Sequence, residues 1–392
     1  MNALEADYEM RICVITEKMY PFVGGAETRW FEICKRLAKK HEVHVYTVWG
    51  DVTADVESWK ALPENEAVEG FVIHRVCRCA RARKSHLFRI GTRSIWICIN
   101  YGVAVAQRLI STEFDVYDFN HFPLLHIPIV RPVVKGKAVI TWHEVWGNMW
   151  RRYKGVRKIG KEMEYLVSKL KWDKHIAVSE FTAKRLRDIC GVKDEDIAVI
   201  PCGVREEFFG PCKKEEGKIL FVGRLTPDKH VHDLLLDSFV EAKMHDNSLS
   251  LHIVGDGPCF SLIASKAKKI KDVHLYGYIS QTELVYHIKS SRLLCLPSEF
   301  EGQGLAALEA QASGTPVVTT NYPLNAVAQE LIIDDFNGYV VEPTSHAIAN
   351  AVLKITSEWS RLSQNSLNLA KKYSLDLVAR RTEKVYKDLL EI

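Results

Sequence analysis

At 392 residues, with 47% apolar and 26% charged side chains, the chain is too long for one core of usual size. Its composition is that of a soluble globular protein, which excludes large-scale disorder and predicts two domains. The net charge of +4 hides an imbalance, since residues 1–200 hold 32 Lys and Arg against 25 Asp and Glu, whereas the remainder holds 21 against 24.

The start, "MNALEADYEMRICVIT", is acidic and runs straight into a strand, so no targeting segment is expected. The ten cysteines are scattered, and the Cys77/Cys79 pair lacks the second pair or His couple of a zinc site. They read as reduced thiols of a cytoplasmic protein. The most apolar window, "SIWICINYGVAVAQRLI", is interrupted by Asn100 and Gln107 and falls short of the ~20 residues that span a bilayer.

Strand "RICVIT" leads into "AETRWFEICKRLAKK", where Trp30, Ile33, Cys34 and Leu37 recur at helical spacing. Strands "EVHVYTV" and "GFVIHRV" follow, then a helix expected around 89–110, then "FDVYDF", "AVITW" and "KHIAV". The helix "SEFTAKRLRDIC" has Ser179 as its N-cap and Gly191 after its end. Beyond "IAVIP", the polar stretch "CGVREEFFGPCKKEEG" shows no periodicity and reads as a linker. A second alternation begins with "KILFVGR" and continues through "LSLHIVG", "VHLYG", "RLLCLPS", "PVVTT" and "NGYVVEP", with helices expected at 229–242, 258–270, 280–290 and from about 303. These strands are continuous apolar runs, as in parallel sheets covered on both faces. The expected fold is therefore α/β, with two doubly wound Rossmann-like domains facing across a cleft. The boundaries read as 1–196 and 197–372, with a helix at 373–392 returning to the N-terminal domain.

Ligands of such sheets sit beyond the carboxyl ends of the strands. In the second domain, Arg224 stands at a strand tip and Lys229 at the start of the next helix. Two cations and a helix N-terminus make an anion site, although both could be plain surface charge. In "PSEFEGQGLAALEA", Gly302 and Gly304 allow close backbone approach ahead of a helix. Glu309 lies about 7.5 Å along that helix at 1.5 Å per residue. It is expected to face the same crevice as Glu301, each carboxylate accepting from a sugar diol. A buried carboxylate needs a partner. The Gly302-x-Gly304-x-x-Ala307 run also resembles a dinucleotide fingerprint, but the next strand ends "VVTTNYP" without the carboxylate that motif requires. In the first domain, Gly24 and Gly25 of "GGAE" form either a tight turn or a point of ligand approach, with Glu27 complementing the helix dipole. His143 of "TWHE" stands at a strand tip in either a ligand-facing or a structural role.

Together these turns resemble the family 4 (group 1) retaining glycosyltransferases of the GT-B fold. Glu301 and Glu309 match the family's E-x7-E, followed by Ala310 to Val318; Val222 to Lys229, Val254 to Pro258, Pro21 to Glu27 and Asn337 to Pro343 match its other motifs. The resemblance implies a hexosyltransferase, of the mannose, glucose or N-acetylglucosamine class, that uses a nucleoside-diphosphate sugar and needs no metal or other cofactor. Arg224 and Lys229 would hold the diphosphate, Glu309 the ribose, and Glu301 the transferred sugar. Gly304 and Leu305 would offer backbone N–H groups, Gly25 with Gly24 would lie near the leaving phosphate, and His143 would touch the donor sugar. Three departures bear on substrate detail: Gln303 before Gly304, Cys202 and Arg205 in the usual "P-N-G-V-D" segment, and His230 after Lys229. Glu301 is expected to bind hydroxyls rather than attack the anomeric carbon, which favours a front-face transfer over double displacement. The alternatives are a sugar-nucleotide epimerase of the same shape and a catalytically silent sugar-nucleotide-binding protein.

The acceptor is expected to be a glycan, glycolipid or small molecule, and no nucleic acid is expected. Residues 71–112 lack any acidic side chain while holding eight basic ones from Arg75 to Arg108, and a second basic run spans Arg151 to Lys161. These runs are either solvated surface or a face toward an anionic acceptor or membrane.

Overall fold

The computed structural model describes residues 8–22, 24–49, 62–78, 89–90, 93–152, 159–210 and 212–392. It comprises two compact units, one formed by Met1–Pro201 with Val378–Ile392 and the other by Cys202–Leu377.

In the first unit the strands are β1 (Arg11–Ile15), β2 (Glu42–Trp49), β3 (Asn65–Val68), β4 (Phe71–Arg78), β5 (Arg89–Ile90), β6 (Arg93–Ser94), β7 (Val116–Asn120), β8 (Lys137–Trp142), β9 (Lys174–Ala177) and β10 (Ile197–Val199). Among the described residues, eight of them form one sheet in the order β10-β9-β8-β7-β1-β2-β4-β3. The sheet is parallel except at β3, which lies antiparallel on the edge. Every residue of β7 is buried, because helices cover both faces and the backbone of a central strand is fully paired. The helix Gly25–Leu37 turns Trp30, Ile33, Cys34 and Leu37 inward as their spacing predicts, and Arg29 with them. Ser179 accepts the Thr182 N–H and so caps the helix Glu180–Cys190.

The helix expected from residue 89 begins at Ile95 instead. Residues 89–94 hold the short antiparallel pair β5–β6. The side chains that bury one face of the helix are Ile97, Cys98, Tyr101, Val105 and Leu109. The terminal helix Leu375–Leu390 contributes Val378 and Tyr386 to the first unit's core. There the Tyr386 hydroxyl donates to Asp118 Oδ2 at 2.6 Å.

In the second unit β11 (Lys218–Val222), β12 (Ser250–Val254), β13 (Val273–Gly277), β14 (Leu293–Leu296), β16 (Val317–Thr320) and β18 (Gly338–Val341) form a parallel sheet ordered β13-β12-β11-β14-β16-β18. A small parallel pair, β15 (Phe300–Glu301) and β17 (Leu324–Asn325), stands beside it. In both units the sheet grows outward in two directions from a central pair, β1/β7 in the first and β11/β14 in the second. The carboxyl ends of those pairs are the topological switch points at which doubly wound sheets bind ligands.

Candidate functional site

The switch point of the second unit gathers most of the residues singled out in the sequence. Arg224 stands two residues past the end of β11, after Gly223, and is exposed. Its loop is fixed from below by the "VGDGP" turn. The Leu225 N–H donates to the Asp256 carbonyl at 2.9 Å, and the Cys259 N–H donates to the Leu225 carbonyl at 2.9 Å. The two loops touch backbone to backbone: a Cβ on Gly255, whose φ is +141°, would stand 1.9 Å from the Gly223 carbonyl oxygen. Only glycine fits there.

Lys229 closes the short helical turn Pro227–Lys229. It is buried rather than at the surface, with 7% of its area exposed. Its Nζ donates to the Phe300 carbonyl at 2.7 Å and to Glu301 Oε1 at 2.7 Å. The β14 loop carrying Glu301 is tied in turn to the Lys229 turn, since the Glu299 N–H donates to the Asp228 carbonyl. Asn325 then fastens that loop from behind, donating to the Ser298 and Thr320 carbonyls. The β11 and β14 loops thus form one rigid unit around a Lys–carboxylate pair. His230, where the family has glycine, takes a left-handed φ of +50°, which histidine tolerates better than most residues. Its ring stacks on Tyr322 and its Nδ1 meets Asp233 Oδ2 at 3.0 Å.

Gly304, with φ +80°, precedes the helix Leu305–Ala312. A Cβ there would lie 2.2 Å from Val327 Cγ2. The backbone N–H groups of Gly304 and Leu305 open the first turn, where a helix has no internal acceptors for them. Glu309 is buried on the same helix, and its partner is Arg205, whose guanidinium lies 3.5 Å from Oε1. Burial pushes the Glu309 carboxyl up to about 7, and Arg205 opposes that rise. Two of the three departures from the family pattern touch each other: Gln303 Oε1 accepts the Cys202 N–H at 2.6 Å.

In the first unit the corresponding tips hold Gly24, Gly25 and His143. A Cβ on Gly25 would meet nothing within 4 Å, whereas one on Gly24 would meet only the flexible end of Glu27. Packing therefore does not dictate glycine at position 25, and the space over it is open. The His143 backbone N–H donates to His121 Nδ1 at 3.2 Å, and its Nε2 is buried without a partner. Burial, with Arg29 and His121 adding to it, holds the His143 imidazole well below its usual range, so it is neutral at physiological pH.

Sequence reasoning did not anticipate Arg205 as the partner of Glu309, nor several buried orphan groups. Thr226 Oγ1 and Ser298 Oγ lack partners at the second unit's switch point, as do Asn120 Oδ1 and all three Arg29 guanidinium nitrogens in the first unit. Unpaired buried polar groups are rare and costly; these four residues stand near the carboxyl ends of the central strands, while others, such as His126 Nε2 and His287 Nδ1, lie elsewhere in the fold. Arg205 could have been suspected from the charge reversal in its motif, but Arg29 gave no signal beyond its place beside Trp30. Among the described residues, no group of three His, Cys, Asp or Glu side chains is arranged to hold a metal ion. None of the described helices is long and apolar enough to cross a membrane.

The model of Glycosyltransferase Family 4 matches residues 23–208, and that of Glycosyl transferases group 1 matches residues 204–372. An uncharacterized glycosyltransferase of Methanocaldococcus jannaschii is 31% identical, over 98% of this chain and 99% of its own. Two solved structures are similar in fold. The sucrose-phosphate synthase of Thermosynechococcus elongatus has a TM-score of 0.78 at 19% identity and covers 98% of this chain and 100% of its own. The Anabaena protein HepE, solved in complex with UDP-glucose, has a TM-score of 0.73 at 15% identity and covers 97% and 100%. Both likenesses concern the fold, which those solved proteins share as GT-B glycosyltransferases.

Proposed function

The chain belongs to the group 1 glycosyl transferases of glycosyltransferase family 4, and from that premise we propose that it moves a hexosyl unit from a nucleoside-diphosphate sugar to an acceptor hydroxyl with retention of configuration. The observation that carries this reading is the arrangement around Lys229, held by the Phe300 carbonyl and Glu301 beside the exposed Arg224 at the switch point of the second sheet. Lys229 is oriented before any ligand arrives, and an exposed guanidinium stands on the same loop. Cations fixed in advance stabilise charge that develops on a leaving group without reorganising during the reaction, and no metal is required for that task.

In this reading the bond from the anomeric carbon to the diphosphate oxygen breaks while a bond to the acceptor oxygen forms on the same face. The acceptor's proton passes to the departing phosphate oxygen. Arg224 and Lys229 take up the negative charge, helped by the Gly304 and Leu305 N–H groups. Glu309 accepts from the ribose diol and Glu301 from the hydroxyls of the transferred sugar. Gly24 and Gly25 leave room for the phosphate, and His143, being neutral, hydrogen-bonds the sugar rather than serving as a cation. UDP-glucose in the complex of the similar Anabaena protein makes UDP-sugars the first donors to try. The acceptor, bound by the first unit, would be an anionic or lipid-linked glycan met at the cytoplasmic face of a membrane, a reading that rests on that unit's positive excess.

The test is a thermal-shift panel of UDP, GDP and ADP with their glucose, mannose and N-acetylglucosamine conjugates, because a ligand of the native state raises Tm by mass action. NMR of the product made from the best donor then reads the anomeric configuration. Stabilisation by none of the nucleotides overturns the assignment, and an inverted product overturns the retaining mechanism.

A further inference from the structure

Arg205 occupies a position where the family motif carries an aspartate, and the charge reversal has a counterpart in space. The Arg205 guanidinium reaches Glu309 at 3.5 Å and Glu207 at 3.2 Å, and it lies 5.1 Å from the Phe208 ring centroid. Its side chain is largely enclosed, with 14% exposed against 6% for Glu309. The backbone that carries it is tied down on both sides. The Cys202 N–H donates to buried Gln303, the Val204 N–H donates to the Tyr373 carbonyl at 2.8 Å, and Ser313 Oγ donates to the Phe208 carbonyl at 2.8 Å. Gln303 and Ser313 flank the helix Leu305–Ala312 that bears Glu309, so Arg205 is registered against that helix from both its ends.

We propose that Arg205 is a positioning residue of the nucleotide site, the fixed charge partner that favours the Glu309 carboxylate form and aims it at a ribose diol. This rests on the reading that Glu309 binds ribose. A carboxylate accepts two hydrogen bonds from vicinal hydroxyls, but the protonated acid has lost part of that capacity. Burial favours the protonated acid and brings Glu309 to about 7 even with Arg205 in place. The charged groups facing Glu309 are Arg205, which stabilises the anion, and Glu207, which opposes it. Among the described residues, the helices Gln281–Ser290 and Ser345–Ala370, the strands β14 and β16 and the turn Val327–Leu331, all packed on the same helix, present no further group that shifts it. Removing the guanidinium therefore raises the Glu309 carboxyl further, and the anion forms only at higher pH. The aspartate of the usual motif could not serve in this way.

Calorimetric titration of UDP and of GDP into wild type, Arg205→Met, Arg205→Lys and Glu309→Gln at pH 6.5, 7.5 and 8.5 tests this, with circular dichroism confirming that each variant is folded. Wild-type affinity should rise with pH as Glu309 ionises. Arg205→Met should bind at least about threefold more weakly at pH 7.5, with its rise displaced upward by about one pH unit or more, and Arg205→Lys should recover part of the loss. Glu309→Gln should be weak throughout and lack that rise. If Arg205→Met binds as wild type does, or is weaker by the same factor at every pH, the positioning role is wrong even though Glu309→Gln is impaired. If Glu309→Gln binds like wild type, or wild type binds neither nucleotide, the ribose assignment falls and this inference with it.

Discussion

Lys229 Nζ and Glu301 Oε1 stand 2.7 Å apart, so the cation assigned to the diphosphate and the carboxylate assigned to the sugar hold each other in place. This pair makes Lys229 and Arg224 unequal, although both are assigned to the same phosphates. Arg224→Ala should reduce turnover by about 100- to 1,000-fold, roughly 3–4 kcal/mol as for one lost preorganised donor, and leave Tm unchanged because the side chain is exposed. Lys229→Met should reduce turnover at least as much and also lower Tm, since it removes the ammonium that donates to the Phe300 carbonyl and pairs with Glu301 in a mostly buried setting. Assays at saturating donor with parallel thermal melts decide. Near-normal turnover in either variant defeats the diphosphate role.

The two glutamates of the E-x7-E element should separate by ligand. Glu309→Gln is expected to weaken the bare nucleoside diphosphate and the intact donor alike, because both carry the ribose. Glu301→Gln should chiefly weaken the intact donor, which alone carries the sugar. The expected loss is about 10-fold or more, as for hydrogen bonds to a charged group. Calorimetry with both ligands checks this, and equal weakening of the bare nucleotide by both substitutions would reverse the assignment.

The strands were legible because a buried parallel strand is a continuous apolar run. "KILFV", "LHIV" and "LLCL" could hardly be anything else once helical patterns separated them. β3 was not legible, since "NEAV" is two polar residues followed by two apolar ones, without the alternation that marks a strand, on a sheet edge where burial is partial. The site divides along the same line. Strand-tip motifs announce Arg224, Lys229, Glu301 and Glu309, but what each touches depends on loops far apart in sequence. Glu309 meets an arginine 104 positions away. Arg75 lies within the acid-free basic segment, yet it is buried against Glu66 Oε2 at 2.6 Å. A count of charges along the chain cannot distinguish such a cation from one facing solvent.

Buried carboxyls predict how stability varies with pH. Asp118 lies at the first unit's core, accepting from Thr141 and Tyr386, and burial pushes it up to about 6. Between about pH 4 and pH 6 the folded form keeps a proton that the unfolded chain has released. The unfolded state thus binds fewer protons, and stability falls as pH rises through that window. Asp118→Asn removes this titration. Urea midpoints at pH 4.5, 5.5 and 6.5 should therefore slope less for the variant than for wild type, and parallel slopes would refute the burial assignment.

Transfer should survive EDTA, because the charge on the leaving diphosphate is assigned to Arg224, Lys229 and a helix N-terminus. Assays after exhaustive chelation, with and without added Mg²⁺ or Mn²⁺, test the point. Complete loss restored by either metal would overturn the protein-only clamp.

The basic runs of the first unit make a prediction about where the acceptor is met, and the internal pairings sharpen it. Arg75 is buried and cannot meet an anionic surface, whereas Arg108, although paired with Glu64 at 2.6 Å, keeps more than half of its side chain exposed. Arg83, Lys84, Leu87 and Phe88, like most of the run from Arg151 to Lys161, lie outside the described residues. Trp96, at the start of the helix Ile95–Leu109, is exposed to 64%, which suits an interfacial anchor next to basic residues. Each Lys or Arg near an anionic bilayer contributes about 1 kcal/mol, so a few suffice for reversible attachment that fades with salt. Co-sedimentation with phosphatidylserine-containing vesicles at 50 and 500 mM salt, values chosen on the order of magnitude over which screening takes hold, should show binding only at low salt. The triple substitution Arg83→Glu, Lys84→Glu, Arg89→Glu should abolish it. Arg75→Gln should lower Tm while leaving vesicle binding intact, because its guanidinium is spent inside the fold. Absence of vesicle binding at low salt defeats the membrane reading and leaves a soluble acceptor.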